Sequence, residues 1–214
     1  MSSDNAPARG AAQQQPLQIV ARSGSALRDY VPALAALRIE VFREWPYLYE
    51  GDMDYERNYL QTYVDSPRAV VVLALAGDQV VGAATGLPLA DETPEFQQPF
   101  IDHGYAPAEV FYCAESVLRA PWRGRGVGHE FFALREQHAR GLGGFRYSAF
   151  CRVERPDDHP LRPANYAPLD AFWQRRGYRE QRKLRTFYSW KDVGADRETE
   201  KPMIFWLKHL ESTP

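Results

Sequence analysis

Val110-Phe111-Tyr112-Cys113-Ala114-Glu115-Ser116-Val117-Leu118 is followed closely by Arg123-Gly124-Arg125-Gly126-Val127-Gly128 and then by the helix-like run His129 to Arg140. The order is strand, glycine-rich turn, helix. Such a turn presents backbone amides to an anion: glycines let the chain come close, and the helix N-terminus adds partial positive charge. Arg123 and Arg125 add cations suited to phosphate oxygens. The local chemistry is that of pyrophosphate binding. A Walker loop is excluded, because no Lys-Ser or Lys-Thr pair occurs in the chain. A dinucleotide fingerprint starting at Gly124 would place its third glycine on His129, so it fails as well.

The rest of the chain is of ordinary composition. It has 214 residues, 44% hydrophobic and 25% charged, with a formal net charge of −2. This suits one globular domain and lacks the basic excess of a nucleic-acid binder. No apolar run reaches the length of a membrane span, and the N-terminal stretch lacks the apolar centre of a signal peptide, so a cytoplasmic protein is expected. Residues 1–15 read as a disordered polar tail and residues 16–214 as a single domain. Cys113 and Cys151 fall in strand-like runs and are too few for a disulfide framework or a cysteine-rich zinc site. Adjacent residues rarely converge on one ion, so Asp157-Asp158-His159 reads as a capped loop, and no metal is expected.

Periodicity places a strand at Leu17 to Arg22, helices at Asp29 to Arg43 and Tyr55 to Val64, and a hairpin of Ala69 to Leu75 with Val80 to Thr85. Residues 88–108 hold four prolines and read as a long loop with at most a short helical turn. After the central strand, turn and helix come a strand at Phe145 to Val153 and a short helix at Leu169 to Arg176. Two final strands are expected at Arg182 to Trp190 and Pro202 to Leu210. Early and late hairpins around a strand-helix-strand crossover predict an α/β chain with a mixed sheet and helices on both faces.

The spacing Arg123, Gly126, Gly128 resembles the acetyl-CoA motif of the GNAT N-acetyltransferase superfamily, Gln/Arg-x-x-Gly-x-Gly/Ala. The element order is similar to the GNAT fold, and Ala171-Phe172-Trp173-Gln174-Arg175-Arg176-Gly177-Tyr178 looks like that family's later Leu-Tyr-x-x-x-Gly-Phe segment. The resemblance covers roughly residues 17–210. It implies a central mixed sheet with splayed parallel central strands. It also implies acetyl-CoA as co-substrate, direct transfer of an acyl group to a primary amine, and a homodimer as an option.

Carried over position by position, the resemblance puts the pantetheine arm on Val117 and Leu118. The pyrophosphate falls on Arg123, Gly124, Arg125, Gly126, Val127, Gly128 and His129. A strand N–H near Leu118 would polarise the thioester carbonyl. Glu115 is the candidate base for the attacking amine; the other reading is a structurally paired strand glutamate. The family's proton-donating tyrosine falls on Trp173, and indole is no acid. Tyr166 or Tyr178 could substitute, or a thiol could leave as its anion. Trp173 then packs against the cofactor, or is a core aromatic.

The stretch from Trp45 to Asp54 interleaves acids with aromatics, and Tyr47, Tyr49, Glu50 and Asp52 are candidates for holding a cationic acceptor, a small molecule or a peptide. Two other functions stay open beside the transferase: a non-catalytic acyl-CoA-binding module, and a nucleotide-binding α/β protein. Neither nucleic acid nor membrane is expected as a partner.

Overall fold

The computed structural model describes residues 16–210, so the tail expected at residues 1–15 lies outside the described residues. The strands are β1 (Leu17–Arg22), β2 (Val70–Ala76), β3 (Gln79–Pro88), β4 (Val110–Leu118), β5 (Tyr147–Val153), β6 (Arg179–Lys191) and β7 (Glu198–His209). The helices are α1 (Val31–Phe42), α2 (Met53–Asp65), α3 (Pro94–Asp102), α4 (Val127–Leu142) and α5 (Asp170–Arg175). These strands join one sheet in the order β1-β2-β3-β4-β5-β7-β6. Among the described residues only the central β4–β5 pair is parallel, and α4 is its crossover.

The sheet is covered on both faces, which is why β2, Val-Val-Val-Leu-Ala-Leu-Ala, is apolar throughout rather than alternating. Val71 and Leu73 pack with Leu34 and Leu37 of α1, Leu60 and Tyr63 of α2, and Phe100 of α3. Val70 and Val72 point the other way, to Phe131, Phe132 and Ala139 of α4, where Phe172 and Trp173 of α5 also pack. β4 divides its side chains in the same manner: Val110 and Tyr112 face the α1–α2 core, Phe111 and Cys113 the α4 core.

The mixed sheet and the succession of strands along the chain agree with the sequence reading; three local features differ. Residues 88–108 are not one loop, because Pro94 opens α3 at its first position, where a proline has no N–H to lose. Asp29 does not cap α1. It sits inside a 3-10 turn, Gly24–Tyr30, that leads into the helix, and the side-chain cap belongs to Asp52 of α2, which accepts the N–H groups of Asp54 and Tyr55. β6 begins at Arg179 rather than Arg182, and its pairing with β7 shifts register between Gln181 and Arg185, which interrupts the alternation along that strand.

Candidate active site

β4 and β5 pair over only three positions, Val110 with Tyr147, Phe111 with Ser148 and Tyr112 with Ala149. Beyond them β4 stays with β3 as far as Leu118 opposite Gly82, while β5 stays with β7 as far as Val153 opposite Met203. The two central strands therefore part and leave a slot. The parting begins at a bulge. Thr85 lies opposite Glu115 but Leu87 lies opposite Tyr112, so Cys113 and Ala114 of β4 together face Gly86.

The ladder decides which main-chain groups line the slot. The Arg119 N–H donates to the Val81 carbonyl at 3.0 Å. Antiparallel alternation then turns the polar groups of Glu115 and Val117 towards β3, and those of Ser116 and Leu118 towards the side that β5 has left. Of the two residues expected to face pantetheine, Leu118 offers its N–H there and Val117 offers a buried side chain instead.

At the end of β4 the chain enters the glycine turn. The N–H groups of Gly124, Arg125, Gly126, Val127 and Gly128 meet no protein acceptor among the described residues, and they head a helix of 16 residues. Five free donors at a helix N-terminus form a site for a multiply charged anion. Gly124 and Gly126 have φ of 76° and 81°, values that a side chain resists, which explains glycine where a Cβ would meet nothing within 4 Å. Gly128 lies against Phe172: a Cβ there would sit 3.4 Å from that ring, in ordinary contact. The two arginines differ. Arg125 rests 4.8 Å above the Trp122 ring with no ion pair among the described residues. Arg123 turns back, donating to the Leu118 carbonyl at 3.0 Å and to Glu44 at 2.8 Å. His129 stands at the same helix end with its ring 4.8 Å from that of Phe172.

A sequence profile of the acetyltransferase (GNAT) family matches residues 34–164, more than half of the chain and the whole of the slot and turn just described.

The chain belongs to the GNAT family.

Solved structures of similar fold include Arabidopsis thaliana NAA60 in complex with a bisubstrate analogue, 13% identical with a TM-score of 0.60 over 92% of this chain and 100% of that one. A ribosomal-protein-alanine N-acetyltransferase from Brucella melitensis is 17% identical, with a TM-score of 0.59 over 89% of this chain and 99% of that one. An acetyltransferase from Thermus thermophilus is 21% identical, with a TM-score of 0.51 over 91% of this chain and 97% of that one. At these identities the likeness is one of fold. No curated protein matches the chain.

In this GNAT chain the α1–α2 side of the slot holds a buried charged group. Arg38 of α1 ion-pairs with Glu56 of α2 and with Glu115 of β4. The Glu56 side chain is 0% exposed and that of Glu115 is 17% exposed, so Glu115 is the one that reaches the slot. The guanidinium also lies 4.3 Å over the Tyr59 ring. The Tyr49 hydroxyl faces Glu56, and burial together with that carboxylate pushes its ionisation up.

Glu92, between β3 and α3, is a half-buried carboxyl with no ion pair among the described residues. Its charge acts on Tyr59, Tyr63, Tyr112, Tyr188 and Cys151, and burial raises its pKa. A carboxyl with a raised folded pKa favours the neutral form. It costs nothing below its unfolded pKa, and the cost grows as pH rises through the folded value and stays above it. Glu92→Gln is therefore expected to raise the melting temperature at neutral pH and to leave it unchanged below about pH 4. Thermal unfolding at both pH values checks this; a neutral-pH loss would mean that Glu92 has a cationic partner.

The candidate acids lie in different places. The Tyr178 hydroxyl is fully buried on the α4 side, accepting from Ser148 Oγ at 2.7 Å and donating to Glu136 at 3.1 Å. Tyr166 is half-buried, its ring 5.9 Å from that of Trp45, and burial pushes its ionisation up. Trp173 packs against Phe150 of β5 at 4.9 Å and Trp206 of β7 at 5.2 Å. Cys151, on the slot face of β5, contacts the Tyr112 hydroxyl at 2.9 Å, and burial pushes its thiol up to about 12, so it is no nucleophile at neutral pH.

Of the acceptor candidates, Tyr47 and Tyr49 lie against the α1–α2 core. Tyr47 also gives its carbonyl to Arg155 and to the Trp190 indole. Glu50 and Asp52 have other partners: Glu50 pairs with Arg43 and accepts the Gly194 N–H, and Asp52 caps α2. Arg38, Glu92 and Arg135 are not marked by the sequence reading, and Glu56, an acid among the tyrosines of the expected acceptor segment, is buried against Arg38 instead. For two of them a signal existed: Arg38 is four residues after Leu34, and Arg135 four after Phe131, so each is a charge on an apolar helical stripe.

Proposed function

We propose that this protein moves an acetyl group from acetyl-CoA to a primary amine of a small molecule or peptide by direct attack. The observation that carries this is the run of five unpartnered amides at Gly124 to Gly128, set at the end of a strand that has parted from its parallel neighbour. Acetyl-CoA supplies the activated acyl thioester. The turn amides and Arg125 would hold its pyrophosphate, with His129 beside them. The Leu118 N–H, whose carbonyl is held by Arg123, would pair with the pantetheine arm and the free N–H of Ser116 would face the acyl oxygen. Glu115 would take the proton the amine sheds on attack. The N–C bond forms, the C–S bond breaks, and CoA leaves as thiolate or takes a proton from Tyr166 or water. Tyr178 serves this less well, since its hydroxyl already has both partners. Trp173 shapes the β5 side of the slot.

A non-catalytic acyl-CoA-binding module is the second reading, favoured by one observation: Trp173 has no proton to give where the family carries a tyrosine. Titration calorimetry with acetyl-CoA, beside Gly126→Glu, tests both. Binding in the micromolar range is expected. The variant, which sets bulk and negative charge into the turn, is expected to bind at least about tenfold more weakly and to lose about 1–2 kcal/mol of stability from the left-handed backbone. Equal binding by the variant would remove the pyrophosphate from this turn. CoA release on adding amines then separates transferase from binding module.

A further inference from the structure

Arg135 of α4 carries a charge into the middle of the protein and finds no carboxylate there. It is 1% exposed. Its Nε donates to the Phe131 carbonyl at 3.1 Å, one terminal nitrogen to the carbonyls of Thr85 at 3.0 Å and Glu115 at 2.9 Å, and the other to Ser116 Oγ at 3.0 Å. Every hydrogen bond it makes among the described residues ends on a neutral oxygen. Buried cations are usually paired, because leaving water costs them several kcal/mol. Filling the bulge would need only donors, which a neutral amide could supply. The charge calls for a further reason.

Its position supplies one. Arg135 enters where β4 bulges, opposite Gly86, and a Cβ on Gly86 would lie 2.7 Å from the Phe111 ring and 3.3 Å from Arg135 Cδ. The missing side chain makes room for the arginine. Glu115 is thus gripped from both faces of the sheet, its carboxylate by Arg38 and its carbonyl by Arg135. In a trans peptide the C=O and the following N–H point in opposite directions. With the Glu115 carbonyl turned to β3 and the guanidinium, the Ser116 N–H points into the slot. A guanidinium on one end of a peptide group strengthens the N–H at the other as a donor, more so in a low-dielectric interior.

We propose that Arg135 is a positioning residue of the acyl-transfer site: acting through the Glu115–Ser116 peptide, it fixes and polarises the Ser116 N–H that faces the acyl oxygen. The proposal rests on the acyltransferase reading above. As the amine nitrogen bonds to the acyl carbon, negative charge gathers on the acyl oxygen. The amine proton passes to Glu115, and the charge returns to carbon as the C–S bond breaks and thiolate leaves. A preorganised donor at that oxygen lowers the barrier without tightening ground-state binding.

The test uses the full chain with Arg135→Met and Arg135→Lys, and acetyl-CoA labelled with carbon-13 at the carbonyl. In the unmodified protein the infrared carbonyl band of bound acetyl-CoA is expected to fall below that of free acetyl-CoA. Most of that shift should vanish in Arg135→Met and part of it return in Arg135→Lys. Calorimetric affinity should stay within about threefold while kcat falls about tenfold in Arg135→Met, with the acceptor KM unchanged. An identical carbonyl band in the unmodified protein and the folded variants overturns the proposal and leaves Arg135 a structural plug. Should both variants misfold, the amide proton of Ser116 in the unmodified protein decides: it must shift between the CoA and acetyl-CoA complexes, and no shift overturns the proposal. Failure of the unmodified protein to bind acetyl-CoA at all would instead overturn the acyltransferase reading.

Discussion

Replacing Glu115 by glutamine is expected to lower kcat about a hundredfold or more while acetyl-CoA binds as before. The geometry gives the reason. Arg38 lies between two carboxylates, Glu56 and Glu115, so one guanidinium neutralises one of them and the group keeps a net negative charge. Glu56 is sealed away and Glu115 lies at the slot, on the strand whose Ser116 and Leu118 amides face the same opening. The remaining capacity for a proton is therefore exposed where an attacking amine would release one. Glutamine keeps the shape and loses that capacity. The rate should fall across the pH range and the limb that reports the base should disappear. If kcat is unchanged at every pH while cofactor binding is intact, Glu115 serves only to anchor Arg38, the paired-glutamate reading.

Arg38→Met is expected to destabilise the fold by about 3–5 kcal/mol. Methionine can refill much of the space over Tyr59, but Glu56, with a side chain 0% exposed, would be left as a buried charge without its cation. The penalty comes from that uncompensated carboxylate more than from the lost pair, so adding Glu56→Gln should recover a good part of it. Urea unfolding of the single and double variants measures both. A loss under about 1 kcal/mol for Arg38→Met would mean that Glu56 takes a proton or reaches water in the variant.

Much of the fold is legible in the sequence because its signals are local. The β-rich runs of Ala69 to Thr85 about Gly77-Asp78, the apolar stripes of α1 and α4, and the run from β4 into the glycine turn each lie within about 20 residues. α3 escapes a sequence reading because its two prolines look like loop, and proline at the first position of a helix is indistinguishable in sequence from proline in a turn. In the Trp45 to Asp54 stretch the residue types are visible but their commitments are not. Glu50 is paired by Arg43, the residue after α1, and by the amide of Gly194, in the connection between β6 and β7, a contact that only the folded chain creates.

The anion turn is written in the linear order of residues. Glycine at Gly124 and Gly126 answers a backbone demand made by its immediate neighbours, and the helix that follows aligns its dipole with no help from the rest of the chain. The sheet class is written there too, through strands apolar on both sides. Where β4 and β5 part is settled only in the assembled sheet, because a bulge depends on the register of a partner strand distant in the chain. Three-dimensional packing also turned Arg123 away from the turn and left Arg125 without an ion pair among the described residues. It brought Arg38, Glu56 and Glu115 together from α1, α2 and β4, with Arg135 opposite. A buried charge is tolerable only with partners close by in space, and those partners come from segments that nothing in the linear order of residues joins.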